Sequence, residues 1–177
     1  RVTAPFTVEE GDARYVVAPA SNFQVTGTIE WNHPVIGRQS LSVTMTPESF
    51  RREIAPARTF GFVHEVAALQ ARGLLQGATP DVAVVLSESG IASGTLRWPD
   101  EFVRHKLLDA IGDLALGGLP IWGRFRSYKG GHALNAHVLG GLFSSEANYE
   151  IVSAQDLPLE VEAFDDQPDG LAVHHYL

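Results

Sequence analysis

Asp100-Glu101-Phe102-Val103-Arg104-His105-Lys106-Leu107-Leu108-Asp109-Ala110-Ile111-Gly112-Asp113 is the stretch on which the fold turns. Its apolar residues return every three or four positions, as one face of an amphipathic helix requires. At 100° per residue, Val103, Leu107, Ala110, Ile111 and Leu114 fall on one side. That stripe predicts a helix over Pro99–Gly117 with a buried core face. The opposite side gathers His105, Asp109, Gly112 and Asp113, flanked by Phe102 and Leu116. A merely solvated face would carry Lys, Glu and Arg, so this second face is expected to be covered as well.

His105 and Asp109 are four residues apart, which puts an imidazole and a carboxylate on one face, one turn apart. Both groups are zinc ligands, and this spacing brings them to one ion. The same spacing also makes a plain His–Asp hydrogen bond. A catalytic zinc needs about three protein ligands plus water, and only two stand here. His64, His137 and the His174-His175 pair are thirds by residue type alone. Spacing leaves both readings open.

A second cluster follows, Ser127-Tyr128-Lys129-Gly130-Gly131-His132-Ala133-Leu134-Asn135. Two glycines let the backbone turn tightly and open a helix. A histidine placed there either caps the helix or projects into a cleft, where it could stabilise an oxyanion or protonate a leaving amine. A carboxylate such as Asp113 would hold its orientation and raise its pKa. Lys106 and Lys129 flank these groups and could meet a phosphate, or simply be solvated.

Working outward, Ala13–Ala18, Phe23–Trp31 and Ser40–Thr46 are rich in Val, Thr, Ile and aromatic residues and read as strands. Thr46 and Pro47 open a short helix to Ile54, as N-cap and first helical residue. Arg58–Phe62 is irregular or extended. His64–Arg72 is a helix stopped by Gly73. Val82–Leu86, Gly94–Trp98 and Ile121–Tyr128 are strands, and Gly131–Phe143 is the last helix. This mixture is α+β.

The 177 residues suffice for a real core, and no apolar run approaches the ~18 residues of a membrane helix. No cysteine is present, which removes disulfides and thiolate metal sites and fits a cytoplasmic protein. The net charge of −8 sits entirely in the tail: residues 145–177 hold eight acidic residues and no Lys or Arg, and the rest holds 13 of each sign. A nucleic-acid surface needs a basic footprint, so none is expected. The tail reads as a solvated, flexible extension. The first residue is Arg1, which suggests a piece of something longer.

The run from Asp100 to Leu114 closely resembles the UDP-3-O-acyl-N-acetylglucosamine deacetylases, the zinc amidases of lipid A biosynthesis. Three further segments agree in order and spacing: Asn32-His33-Pro34-Val35-Ile36-Gly37-Arg38-Gln39, Ala57-Arg58-Thr59-Phe60-Gly61-Phe62, and Tyr128–Asn135. The resemblance covers roughly residues 1–144. It implies a layered, mostly antiparallel sheet packed on two main helices, with a small βαβ insert over about 59–96. It implies that His105 and Asp109 are the two zinc ligands of the family's second domain. His132 would be the catalytic histidine, Asp113 its orienting carboxylate, and Thr59 a partner of the tetrahedral intermediate. Phe60 and Phe62 would lie near the sugar and nucleotide, Lys106 beside the substrate, and Lys129 near the nucleotide. The insert would form an apolar passage for an acyl chain, with Val63, Val66, Leu75 and Val84 as lining.

The family's third zinc ligand and its general-base Glu lie in a first domain that nothing in this chain matches. The chain is therefore expected to be the second half of a deacetylase, inactive alone and completed by a first domain in the same gene product or in a second chain. In the loop Gly77-Ala78-Thr79-Pro80 the apolar or aromatic residue often found in the family is missing, and the acidic tail is longer than usual there. Read without the family, the chain would serve as a zinc- or nucleotide-sugar-binding module, or as an interaction domain docking through the His105 face.

Overall fold

The computed structural model describes residues 1–156 apart from 75, 76 and 78. Leu75, the loop position Ala78, the His174-His175 pair and the tail from residue 157 lie outside the described residues. The strands are β1 (Phe6–Glu10), β2 (Ala13–Ala18), β3 (Phe23–Glu30), β4 (Arg38–Thr44), β5 (Thr59–Phe62), β6 (Ala83–Leu86), β7 (Ile91–Ser93) and β8 (Gly123–Tyr128). The helices are α1 (Pro47–Ser49), which runs into a π-helical turn at Phe50–Ile54, then α2 (Val63–Ala71), α3 (Glu101–Ala115) and α4 (His132–Phe143). Among the described residues, two sheets and four helices make an α+β fold.

The main sheet has the order β1-β2-β8-β3-β4. All its pairings are antiparallel except the central one, where β3 runs parallel to β8. Successive strand residues point to opposite faces, so Phe23, Val25, Gly27 and Ile29 of β3 share one face. Helix α3 lies on it. A Cβ on Gly27 would stand 2.8 Å from Leu107 Cδ2, so glycine is what lets the helix approach this closely. Val25, Leu107, Leu114, Phe125, Leu134 and Val138 fill the space between sheet and helices, each at most 2% exposed. The opposite face is polar and self-satisfied: Thr26 pairs with Ser42 and Thr28 with Ser40, each at 2.9 Å.

The smaller sheet is β5-β6-β7, with β5 parallel to β6 and α2 as the crossover between them. It is the expected βαβ unit, with β7 added antiparallel. The predicted stripe of α3 holds: Val103, Leu107, Ala110 and Leu114 are buried and Ile111 is partly so. Thr46 caps α1 as expected, accepting the Ser49 N–H at 3.0 Å.

One expectation fails and two features were not foreseen. Phe102 is 1% exposed and packs edge-on against Phe60, so the insert covers that end of the second face of α3. Gly94–Trp98 is not a strand. Gly94 takes φ 72°, which turns the chain out of β7, and the Thr95 carbonyl and Arg97 N–H are committed to side chains instead of a ladder. Residues Phe6–Glu10, left unassigned by periodicity, form edge strand β1, whose Phe6 reaches the backbone of α4 at Gly141.

The first residues and the start of the acidic tail are joined. Val2 pairs with Tyr149, and the Arg1 guanidinium meets the Glu150 carboxylate at 2.5 Å. Among the described residues, no helix is long and apolar enough to cross a membrane.

Candidate functional site

His105 and Asp109 stand one turn apart on the outer face of α3, with His105 Nε2 3.3 Å from Asp109 Oδ1. Both are mostly buried, 16% and 18% exposed at the side chain. The other ring nitrogen, Nδ1, lies 3.2 Å from the Ala57 carbonyl oxygen. A carbonyl can only accept, so Nδ1 donates here and Nε2 is the ring nitrogen left facing Asp109. Metal-ligating histidines are oriented in this way. Two donors about 2.0–2.1 Å from a tetrahedral zinc stand ~3.3–3.4 Å apart, so this pair has the spacing a zinc ion would need. Among the described residues, no group of three or more His, Asp and Glu side chains converges as a full metal site would.

Helix α4 brings the second histidine. Lys129 takes the left-handed conformation, φ 53°. Gly130 follows, where a Cβ would stand 2.2 Å from Ser127 Oγ and 3.0 Å from Tyr15 Cε2, so a larger residue would have to displace those side chains. His132 then opens α4 with its side chain 69% exposed. Its Nδ1 is 2.7 Å from Asp113 Oδ2, and its Nε2 is 4.0 Å from Asp109 Oδ2. Asp113 Oδ2 also accepts from Asn135 Nδ2 at 2.7 Å. Lys106 Nζ reaches Asp109 Oδ2 at 3.3 Å. One cleft edge thus gathers two imidazoles, two carboxylates and an ammonium.

The other expected residues are less close. The Phe60 ring is 6.4 Å from the His105 ring, centroid to centroid. Thr59 is exposed at the start of β5, two residues after the Ala57 carbonyl. Phe62 packs instead on His33 and His64. His33 is a satisfied core residue: its Nε2 donates to the Ser87 carbonyl at 2.8 Å and its Nδ1 accepts from Val35 N–H. Lys129 is engaged by Asp12 at 2.7 Å and Glu30 at 3.9 Å. The Asp12 hydrogen bond and charge hold the ammonium above its ordinary pKa and the Asp12 carboxyl below its own.

A cavity of about 580 Å³ lies between α2, β5 and β6, walled by Thr59, Phe60, Val66, Leu69 and Val84 among others. Val66 and Val84 are two of the expected lining residues. Val63 is not on this wall and is 47% exposed.

Sequence reasoning missed the pair that holds this edge in place. Glu101, in the first turn of α3, is 0% exposed and accepts four hydrogen bonds. They come from Arg58 Nε at 2.8 Å, Arg58 Nη2 at 2.9 Å, the Arg58 backbone N–H at 3.1 Å and the Arg97 backbone N–H at 2.6 Å. Arg58 also donates to the carbonyls of Pro80 and Thr95. Burial pushes the Glu101 carboxyl up, but the Arg58 guanidinium and the two backbone donors outweigh it and leave the group below its ordinary value. The only sequence signal was an Arg beside Thr59 and an acid in a helix's first turn, 43 residues apart. Gln39 was also missed: its Oε1 accepts the Val103 N–H and its Nε2 donates to the Pro99 carbonyl, which fixes the start of α3.

A family model described as UDP-3-O-acyl N-acetylglycosamine deacetylase matches residues 1–144. A UDP-3-O-acyl-N-acetylglucosamine deacetylase of Wolinella succinogenes is 43% identical over 166 residues, 93% of this chain and 55% of its own. Those of Syntrophus aciditrophicus and Myxococcus xanthus are 43% and 44% identical, over 86% and 87% of this chain and 49% of each relative. The chain therefore spans about half the length of the curated relatives it matches.

Proposed function

The chain belongs to the UDP-3-O-acyl N-acetylglycosamine deacetylase family, and we propose that it supplies half of the active site of a zinc-dependent amidohydrolase acting in lipid A biosynthesis. The substrate in this reading is UDP-3-O-(3-hydroxyacyl)-N-acetylglucosamine, whose acetamide is hydrolysed in the cytoplasm. The observation that carries the reading is the His105–Asp109 pair, oriented by the Ala57 carbonyl and faced by the His132–Asp113 pair.

His105 Nε2 and Asp109 Oδ1 would hold the zinc. Bound there, the ion would supply a Lewis acid for the amide carbonyl and a lowered pKa for a water. His132, held by Asp113, presents Nε2 toward the same edge, where in its protonated form it can meet developing negative charge or hand a proton to the leaving amine. Thr59 donates to the oxyanion from the neighbouring strand. Lys106 offers a cation to the phosphates of the substrate, with Lys129 reaching the nucleotide once it leaves Asp12. Phe60 and Phe62 flank the sugar and nucleotide, and the apolar cavity of about 580 Å³ takes the acyl chain.

Two donors do not fill a catalytic zinc shell, and a water needs a base. We place the third ligand and a general-base Glu in a first domain outside these 177 residues, in the same gene product or in a partner chain. That domain covers the exposed end of the second face of α3, where Leu116 is 80% exposed. Zinc content and deacetylation measured for this chain alone and together with that domain test the reading. Zinc retention by a His105→Ala, Asp109→Ala variant of the completed enzyme would refute it.

A further inference from the structure

Asn135 is a polar residue in an apolar place. It is 2% exposed on the inner side of α4, between the buried Leu134 and Val138. Its Oδ1 is buried with no partner among the described residues, a situation that costs free energy wherever it occurs. A leucine of similar size would avoid that cost, so packing does not explain the amide. The other end of the side chain does. Nδ2 donates to Asp113 Oδ2 at 2.7 Å, and that same oxygen accepts from His132 Nδ1 at 2.7 Å. An ionised carboxylate only accepts, so the amide has one orientation.

We propose that Asn135 is a positioning residue, locking the Asp113 carboxylate so that His132 presents Nε2 to the zinc edge. The inference rests on the hydrolytic role given to His132 above. The helix geometry favours it. His132 and Asn135 are three residues apart and so share one face of α4, and Asp113 meets both from α3. With Asn135 in place, Asp113 Oδ2 is held by two partners on α4 and the carboxylate is fixed. Without it, the carboxylate holds only His132, whose side chain is largely exposed, and the two swing together.

The test replaces Asn135 by Leu, which keeps the volume and removes the donor, and by Ala. The ring-nitrogen chemical shifts of His132 are read in the 177-residue chain. In the wild type the neutral ring carries its proton on Nδ1. In either variant the two tautomers average. In the enzyme completed by its first domain, both variants lower kcat about 10- to 100-fold, with KM and zinc content unchanged. A wild-type tautomer ratio and wild-type kcat in Asn135→Leu overturn the proposal. Should neither variant fold, the wild type decides: Asn135 amide protons in fast exchange with solvent overturn it, and slow exchange released by Asp113→Ala supports it. His132→Ala is the separate arm. If it leaves deacetylation intact, the role of His132 fails. If it abolishes deacetylation while Asn135→Leu does nothing, only the positioning role fails.

Discussion

Replacing Arg58 by Ala should be among the most destabilising single substitutions in this chain. The Glu101 carboxylate has no contact with solvent and would keep only two of its four donors, the backbone N–H groups of residues 58 and 97. Two carbonyls, of Pro80 and Thr95, would lose their donors as well. Breaking a buried pair on one side costs about 3–5 kcal/mol, against a total stability of about 5–15 kcal/mol. Many buried pairs can be exchanged as a pair for apolar residues at no loss. This one should not be. Arg58→Met with Glu101→Leu removes the acceptor of two backbone N–H groups, that of Arg58 buried and that of Arg97 partly buried, and an orphaned donor of this kind costs about 1–3 kcal/mol. The double variant should therefore stay at least about 2 kcal/mol below wild type. Urea unfolding measures both: with a slope of about 2 kcal/mol per molar, Arg58→Ala shifts the midpoint by roughly 2 M and the double variant by roughly 1 M. A double variant as stable as wild type would show that the backbone donors are satisfied elsewhere and that Glu101 is an ordinary exchangeable charge.

Stability should also depend on acid through Glu101. Its folded-state pKa is lowered, so its contribution is complete above the ordinary glutamate value of about 4.3 and is lost as pH falls through the lower folded value; Glu101→Gln should flatten that part of a stability–pH curve, and an unchanged slope counts against the assignment. The isolated 177 residues should bind zinc weakly and show essentially no deacetylation, as titration with a chelator and a product assay would record; robust turnover would mean that another base, such as Glu65, has been recruited. In the completed enzyme, His132→Ala should lower kcat by about 10²–10⁴ with zinc retained, whereas His105→Ala should lose both, and metal analysis separates them. Leu116→Lys should raise the solubility of the lone chain and weaken its association with a first domain, measured by sedimentation; no effect on either would leave the exposed end of α3 without a partner.

The sequence spoke most clearly where one element decides its own structure. The stripe of α3 names its core face because a helix repeats its environment every 3.6 residues. The positions of His105 and Asp109 follow from that, and the Thr46-Pro47 start of α1 is equally local. What stayed hidden depends on partners distant in sequence. Nothing near Glu101 announces that Arg58 will bury it. That the Phe102 face is covered could be read, but not by what, because the insert that packs on it is folded from other residues. Gly94 looked like the start of a strand, but the peptide groups after it serve Arg58 and Glu101. Asn135 reads as an ordinary helix residue until Asp113 is brought opposite.

The place of β8 in the main sheet has a consequence for how the protein comes to exist. Among the described residues it is the last strand made, yet it lies in the middle, between β2 and β3. Arg124 and Gln24, side by side in the finished sheet, are one hundred residues apart in the chain. Until residue 128 has been synthesised, the β1–β2 and β3–β4 hairpins have no common neighbour and each shows an open edge. Contacts of such long range form slowly and leave partly built sheets exposed to association. Lys129 and His132 follow directly on β8. The turn that sets His132 against Asp113 is therefore born with the strand that closes the sheet, and a half-made chain has neither. A ribosome-bound series truncated on either side of residue 128 would show protection from protease and the His132–Asp113 contact arriving together.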